Sequence, residues 1–264
     1  MRTLTPRTLT VPLLLSLTLA LGSCGGASPA QGNPPPGSGG TPAPATAYTM
    51  SGTVRNSTGQ PVAGAQVFAG HTAYFNTNAL ATTGPDGRYR VSVREPAGSW
   101  YAGGTVEATM DGQTYVFTLR PDSSEPFTGA QGAVRNLTWP LTGTRPDGGR
   151  YGAPITVYAD FFDPGLLDWL PDIELILTPT GPRIDGSPGV GVRGKVKQTP
   201  DGQEGLVDIA LGRYTVSARY APAGGAPQTL RIRPRNAGEF GASVASRFVQ
   251  RGSGQIMEVE VSRQ

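Results

Sequence analysis

Five carboxylates fall within the fifteen residues Asp160-Phe-Phe-Asp163-Pro-Gly-Leu-Leu-Asp168-Trp-Leu-Pro-Asp172-Ile-Glu174. Acids at this density suit two chemistries. A flexible loop can wrap Ca²⁺ with about six to eight oxygens, and a pair of carboxylates can hydrolyse a glycoside. Asp160, Asp163, Asp168 and Asp172 are the calcium candidates. Their spacing is not that of an EF-hand loop, and a solvated loop with one helical turn over residues 165–170 accounts for the same residues. Nothing in the sequence sets a carboxylate pair beside a cleft.

Nucleophilic and zinc chemistry are poorly supplied. A catalytic zinc takes about three protein ligands, two of them commonly histidines. The chain has one histidine, His71, and one cysteine, Cys24. A Ser-His-Asp triad would need that same histidine, which reads as a residue of the loop around Gly70–Asn76. The sequence contains neither a G-x-S-x-G elbow nor a G-x-x-x-x-G-K-[ST] phosphate loop. No cofactor is implied, and the chain reads as a non-enzyme.

Aromatic residues offer binding instead. Trp100-Tyr101, Phe162 and Trp169 are the candidate ligand-binding residues, with Tyr74-Phe75 and Trp139 as further aromatics. Aromatic faces pack against the C–H faces of sugar rings, and neighbouring Asp or Asn can bond the hydroxyls. Core packing is the competing use, most of all for Trp139.

The elements that would hold these residues follow a period of two. Tyr89, Val91 and Val93 alternate with arginines and a serine. Tyr115, Phe117 and Leu119 repeat the pattern, as do Tyr214, Val216, Ala218 and Tyr220, then Met257, Val259 and Val261. Each run predicts a strand with one face buried. Thr58-Gly59, Asp86-Gly87, Asp111-Gly112, Asp147-Gly148, Asp185-Gly186 and Asp201-Gly202 mark turns between them. Frequent proline excludes long helices. Short strands at this spacing predict an all-β chain of two tandem antiparallel β-sandwich domains. The boundaries are 48–145 and 146–264. Gly87-Arg-Tyr-Arg-Val-Ser92 recurs as Gly212-Arg-Tyr-Thr-Val-Ser217, which favours two similar sandwiches over one large barrel.

Residues 50–93 resemble the carboxypeptidase regulatory-like domain, a transthyretin-like (prealbumin-like) β-sandwich. The carriers are Ser51-Gly-Thr-Val54, Gly59-Gln-Pro-Val-Ala-Gly-Ala-Gln-Val67 and Thr83-Gly-Pro-Asp-Gly-Arg-Tyr89. The resemblance implies a fold and is nearly silent on activity. Within the motif, Val62, Ala65 and Val67 are expected in the core, Gly64 at a close approach or bulge, and Asp86-Gly87 in a hairpin.

The N-terminal residues give an address. Residues 1–23 carry Arg2 and Arg7, then an uncharged apolar run from Val11 to Leu21, which is the secretory pattern. Leu21-Gly22-Ser23-Cys24 resembles the bacterial lipobox, in which the cysteine sulfur receives a diacylglyceryl group and becomes the new N-terminus. That use explains an unpaired cysteine without a disulfide partner. Two acyl chains suffice for stable anchoring. Gly25 rather than Asp after the cysteine favours the outer membrane or cell surface. Residues 24–47 contain no charged side chain and read as a Gly/Pro/Ser-rich disordered tether. Its reach runs from about 25 Å as a coil to about 70 Å extended.

Loss of residues 1–23 takes 22 basic residues to 20 against 19 acids, a net charge near +1. Neither this balance nor any basic run with interleaved aromatics points to nucleic acid. The sequence therefore predicts a lipid-anchored cell-envelope protein with a non-catalytic binding or structural role. Its partners would be the bilayer, through Cys24, and an envelope glycan or protein. A carbohydrate-binding module using exposed aromatics and a calcium-stabilised surface scaffold are the alternatives.

Overall fold

A computed structural model describes residues 44–199, 201–252 and 254–263. Cys24, the signal segment and most of the tether lie outside the described residues. Residues 42–264 form one compact unit.

The first ten strands are β1 (Thr49–Arg55), β2 (Gln66–His71), β3 (Asn78–Thr82), β4 (Arg88–Ser92), β5 (Ser99–Met110), β6 (Gln113–Thr118), β7 (Arg120–Pro121), β8 (Phe127–Thr128), β9 (Ala133–Val134) and β10 (Leu137–Thr138). They form two five-stranded sheets. One runs β4-β1-β10-β7 with β9 on β1, and the other runs β3-β2-β5-β6 with β8 on β5. Most ladders are antiparallel, but β9 and β10 each pair with β1 in parallel. The alternating residues face inward. Tyr89, Val91, Val93, Tyr115, Phe117 and Leu119 are all buried, together with Val62, Ala65 and Val67.

Turn chemistry sorts into two kinds. Asp111-Gly112 closes the β5–β6 hairpin with positive φ at both residues, 53° and 78°, as a two-residue primed turn requires. Asp86-Gly87 departs from the expected hairpin. Gly87 has φ 72°, but β3 and β4, on either side of the turn, belong to different sheets. An inward-facing strand on each side of a core needs a crossover there, and a tight turn can make one. Gly64 sits at a turn with φ 75°.

The later strands are β11 (Ala153–Ala159), β12 (Ile173–Arg183), β13 (Val192–Lys195), β14 (Lys197–Gln198), β15 (Glu204–Ile209), β16 (Gly212–Tyr220), β17 (Gln228–Pro234), β18 (Val244–Ser246), β19 (Val249–Arg251) and β20 (Gly254–Ser262), with a 3₁₀ segment at Pro164–Asp172. They form one ten-stranded sheet whose main path is β13-β12-β16-β17-β20-β11-β15-β14. Its two end strands are separated in the chain by Val196 alone, which is buried. The sheet therefore curls until its ends meet and encloses its own core of Ile155, Leu175, Val216, Ile232 and Val259. β20 lies inside the ladder, pairing with β11 in parallel and β17 antiparallel. Glu260 on β20 is buried as well, and Arg233 meets it at 2.9 Å. A buried carboxylate needs such a partner.

No ladder among the described residues joins a strand before Thr138 to one after Ala153. Side chains and turns join the halves instead. The Tyr115 hydroxyl donates to the Phe248 carbonyl at 2.8 Å. Arg213 pairs with Asp111 at 2.8 Å. Asp185 accepts from the Ser57 hydroxyl at 2.5 Å, and its carbonyl accepts from the Asn56 amide at 3.1 Å. The repeated Gly-Arg-Tyr motif also has a common use. Tyr89 and Tyr214 are both buried, and their hydroxyls donate to the carbonyls of Arg135 (2.6 Å) and Ala210 (3.0 Å).

Candidate functional site

The acidic segment leaves β11 and enters the 3₁₀ segment. Asp160 opens it by taking the Phe162 amide onto its carboxylate at 3.1 Å, while its own amide donates to the Val261 carbonyl at 2.8 Å. Pro164 starts the helical turns, where a missing N–H costs nothing. Leu166 and Leu170, four residues apart, are buried and hold the segment to the core. The turn expected over residues 165–170 thus lies inside a slightly longer helical element.

The four carboxylates do not converge on a cation. Asp163 is buried and takes a two-pronged bond from the Arg263 guanidinium. These bonds hold its carboxyl below the ordinary aspartate value, against the opposing effect of desolvation. Asp172 pairs with Lys195 at 2.8 Å. Asp160 closes its own turn, and Asp168 is exposed. Among the described residues no group of three His, Cys, Asp or Glu side chains is placed to hold a metal. Three of the four calcium candidates are thus engaged, Asp163 by arginine, Asp172 by lysine and Asp160 by a backbone amide. Glu174, the fifth acid, lies between Arg193 and Arg219.

What the segment does present is apolar. Phe161 and Phe162 are 85% and 88% exposed, their rings edge to face with centroids 5.5 Å apart. Next to them the Asp163–Arg263 pair continues into an aromatic stack. The Arg263 guanidinium lies 4.9 Å from the Trp169 ring centroid, and Trp169 stacks on Tyr220 at 4.0 Å with 22° between the planes. Trp169 and Tyr220 are partly buried against the core. The sequence pointed to Phe162 and Trp169. Tyr220 and Arg263, distant in the chain, carry no local signal beyond the strand alternation that places Tyr220.

Trp100 and Tyr101 separate, as neighbours on a strand must. Trp100 is 1% exposed and faces the core, edge to face with His71 at 4.9 Å. This placement removes it from any ligand surface. Tyr101 points outward, covers Gly70, and meets Phe68 edge to face at 6.1 Å. Trp139 is buried against Phe117, centroids 5.2 Å apart.

His71 is buried and bound to backbone on both sides. Nδ1 accepts from the amides of Ala73 (3.1 Å) and Tyr74 (3.3 Å), and Nε2 lies 3.3 Å from the Ala97 carbonyl. An acceptor Nδ1 and a donor Nε2–H describe one neutral tautomer that braces the loop carrying Tyr74 and Phe75. Both rings of that loop are exposed. The arrangement supports stacking and apolar contact rather than proton transfer.

No helix among the described residues is long and apolar enough to cross a membrane. No family model matches the chain, so the resemblance of residues 50–93 to the carboxypeptidase regulatory-like domain stands on those residues alone. No curated protein matches either. Among solved structures, the Bacillus anthracis TIE protein aligns at 13% identity over 81% of this chain and 34% of its own, with a TM-score of 0.31. The pilus adhesin SpaC from Lactobacillus rhamnosus GG aligns at 14% identity over 81% of this chain and 31% of its own, TM-score 0.24. A C-terminal fragment of SpaC aligns at 14% identity over 82% of this chain and 98% of the fragment, TM-score 0.26. The chain spans about a third of the length of the TIE protein and of whole SpaC. At these TM-scores the likeness carries no argument about activity or partner. The protein is a mostly-β chain with distant similarity to these bacterial proteins.

Proposed function

We propose that this is a lipid-anchored cell-envelope protein whose β-structured unit binds without catalysing. The carrying observation is the loop at Phe161 and Phe162. Two adjacent phenyl rings are held in water on a segment braced by Asp160, by the Asp163–Arg263 pair and by two buried leucines. A braced, exposed aromatic pair loses little conformational entropy on binding. The potential catalysts support the same reading, because the histidine braces a loop and most of the acidic segment is paired or bonded.

Anchoring and binding are tested separately. Full-length protein should enter the detergent-rich phase on phase separation and incorporate labelled palmitate, and Cys24→Ser should do neither. A freely soluble wild type with an unmodified thiol would end the anchoring proposal. Retention on isolated cell envelopes should fall for Phe161→Ser/Phe162→Ser and be unchanged for Tyr74→Ser. Equal retention of all three proteins would end the assignment of binding to this loop.

A glycan is the second reading, favoured by the flat Trp169–Tyr220 stack with Arg263 beside it. Glycan-array signal lost in Trp169→Ala would support it.

A further inference from the structure

We propose that the end of the first half at which the chain enters from Cys24 is a bilayer-docking face, with Tyr48, Tyr74 and Phe75 seated among the lipid headgroups. The inference goes beyond the reading of an anchored binder and rests on the anchoring part of it.

Four segments come together at that end, tied by main-chain hydrogen bonds. The Tyr48 amide donates to the Gly129 carbonyl at 2.9 Å, the Gly129 amide to the Gly98 carbonyl at 2.8 Å, and the Thr72 amide to the Ser99 carbonyl at 3.0 Å. The Val93 amide donates to the Tyr48 carbonyl at 3.0 Å. The entry at 44–48 and the loops at 72–77, 93–99 and 128–132 therefore share one surface.

The large side chains exposed there are aromatic. Phe75 is 101% exposed, Tyr74 56% and Tyr48 36%. Phe75 stands at the corner of a turn in which the Thr77 amide donates to the Tyr74 carbonyl at 3.4 Å and Asn76 has φ 54°, a conformation asparagine tolerates. The His71 ring lies against Tyr74, centroids 4.8 Å apart, while its Nδ1 holds the Ala73 and Tyr74 amides. Phe75 is thus kept in water on a braced turn, and moving it into an apolar medium removes that exposure at little cost in entropy. The far end of the same half differs. Its turns at 56–60 and 83–87 expose no large hydrophobic side chain and carry the Asp86–Arg88 pair.

The occupant follows from where the chain enters and from the charge. The described residues begin at Pro44, twenty residues after Cys24, and a coil of that length reaches about 25 Å. Acyl chains on Cys24 would hold a bilayer within that distance of this end, so a contact too weak to act alone suffices. Tyrosine, with an apolar body and a polar tip, suits the headgroup level. Among the residues of the four segments only Arg94 and Glu95 are charged, one of each sign, and Arg94 lies over the Tyr48 ring at 4.3 Å. Little charge would have to be desolvated, and a partner chosen by charge would find almost none here. The contact orients a molecule already held by its acyl chains, so retention on envelopes does not read it.

The test uses the lipidated full chain in phosphatidylcholine vesicles whose acyl chains carry bromine, a quencher of indole. Phe75→Trp puts a reporter at the corner of the turn and Pro85→Trp puts one at the far end. Wild type supplies the signal of the three native tryptophans. Phe75→Trp should lose its added fluorescence, most strongly with bromine about 5–10 Å below the headgroups. Pro85→Trp should lose none. Adding Tyr48→Ser/Tyr74→Ser to the Phe75→Trp chain should restore the signal without moving the melting temperature by more than a few degrees. The loss should persist in high salt, where charge-driven contacts weaken. An unquenched Phe75→Trp, equal quenching of Pro85→Trp, or a loss abolished by salt would overturn the proposal. So would a dimer in sedimentation that Phe75→Ser dissociates, which gives the face to a second copy. Flotation with the vesicles that requires Cys24 reads the anchor separately. Flotation without quenching ends the docking face and leaves the anchored-binder reading in place, whereas absence of flotation ends both.

Discussion

The Tyr115 hydroxyl reaches out of one half of the molecule and donates to the Phe248 carbonyl of the other, at 2.8 Å in a buried setting. With Asp111–Arg213 close by in the chain, it makes the end of the β5–β6 hairpin a joint. Tyr115→Phe keeps the ring in the core and leaves that carbonyl without its donor. The expected loss is about 1–3 kcal/mol, the cost of an unsatisfied buried acceptor. Urea unfolding followed by tryptophan fluorescence measures it. A change within experimental error would mean that the joint does not depend on this bond.

The Asp163–Arg263 pair should give the braced loop a pH response. Hydrogen bonds from Arg263 place the folded-state carboxyl below its unfolded value, which is about 3.9. A depressed carboxyl stabilises the folded form above the unfolded value, and that contribution disappears as pH falls through the folded one. Melting temperature should therefore fall more steeply for wild type than for Arg263→Gln on going from about pH 6 to about pH 3. Parallel curves would show that the pair contributes nothing to stability.

Calcium should leave the protein unchanged. Asp163 and Asp172 already have cationic partners, and Asp160 bonds a turn amide. Melting temperature with EDTA should equal that with excess calcium. A rise on adding calcium would revive the cation site.

The two tryptophans of interest should behave oppositely. Trp100 is enclosed by His71 and the sandwich core, so Trp100→Ala should cost about 3–5 kcal/mol through lost packing. Trp169 keeps part of its surface in water, so Trp169→Ala should cost distinctly less and should act on ligand retention. Similar destabilisation by both would place Trp169 in the core.

Much of the inward-facing pattern in both halves was legible from alternation. The apolar sets Tyr89-Val91-Val93, Tyr115-Phe117-Leu119 and Met257-Val259-Val261 are the inward faces, because a pleated strand turns every second side chain to the same side. The same rule says that Trp100 and Tyr101 face opposite ways without saying which faces the core. The signal-like segment and Cys24 were legible as an address, and they remain an expectation of the sequence alone. β20 shows a limit of the pattern. Glu260 and Ser262 alternate with apolar residues as a wet face would, yet both are buried, since a strand inside a curled sheet can be covered on both sides.

The sequence by itself determined that the chain is all-β, where many of its turns fall, and that it has one histidine and one cysteine to offer any chemistry. These are local properties, set by backbone geometry and side-chain type. The tertiary structure alone decided that Asp163 belongs to Arg263, that Trp169 stacks on Tyr220, and that Asp86-Gly87 passes between sheets. Each of these depends on which distant strands become neighbours, and that choice comes from closing the core as a whole rather than from any short stretch of residues.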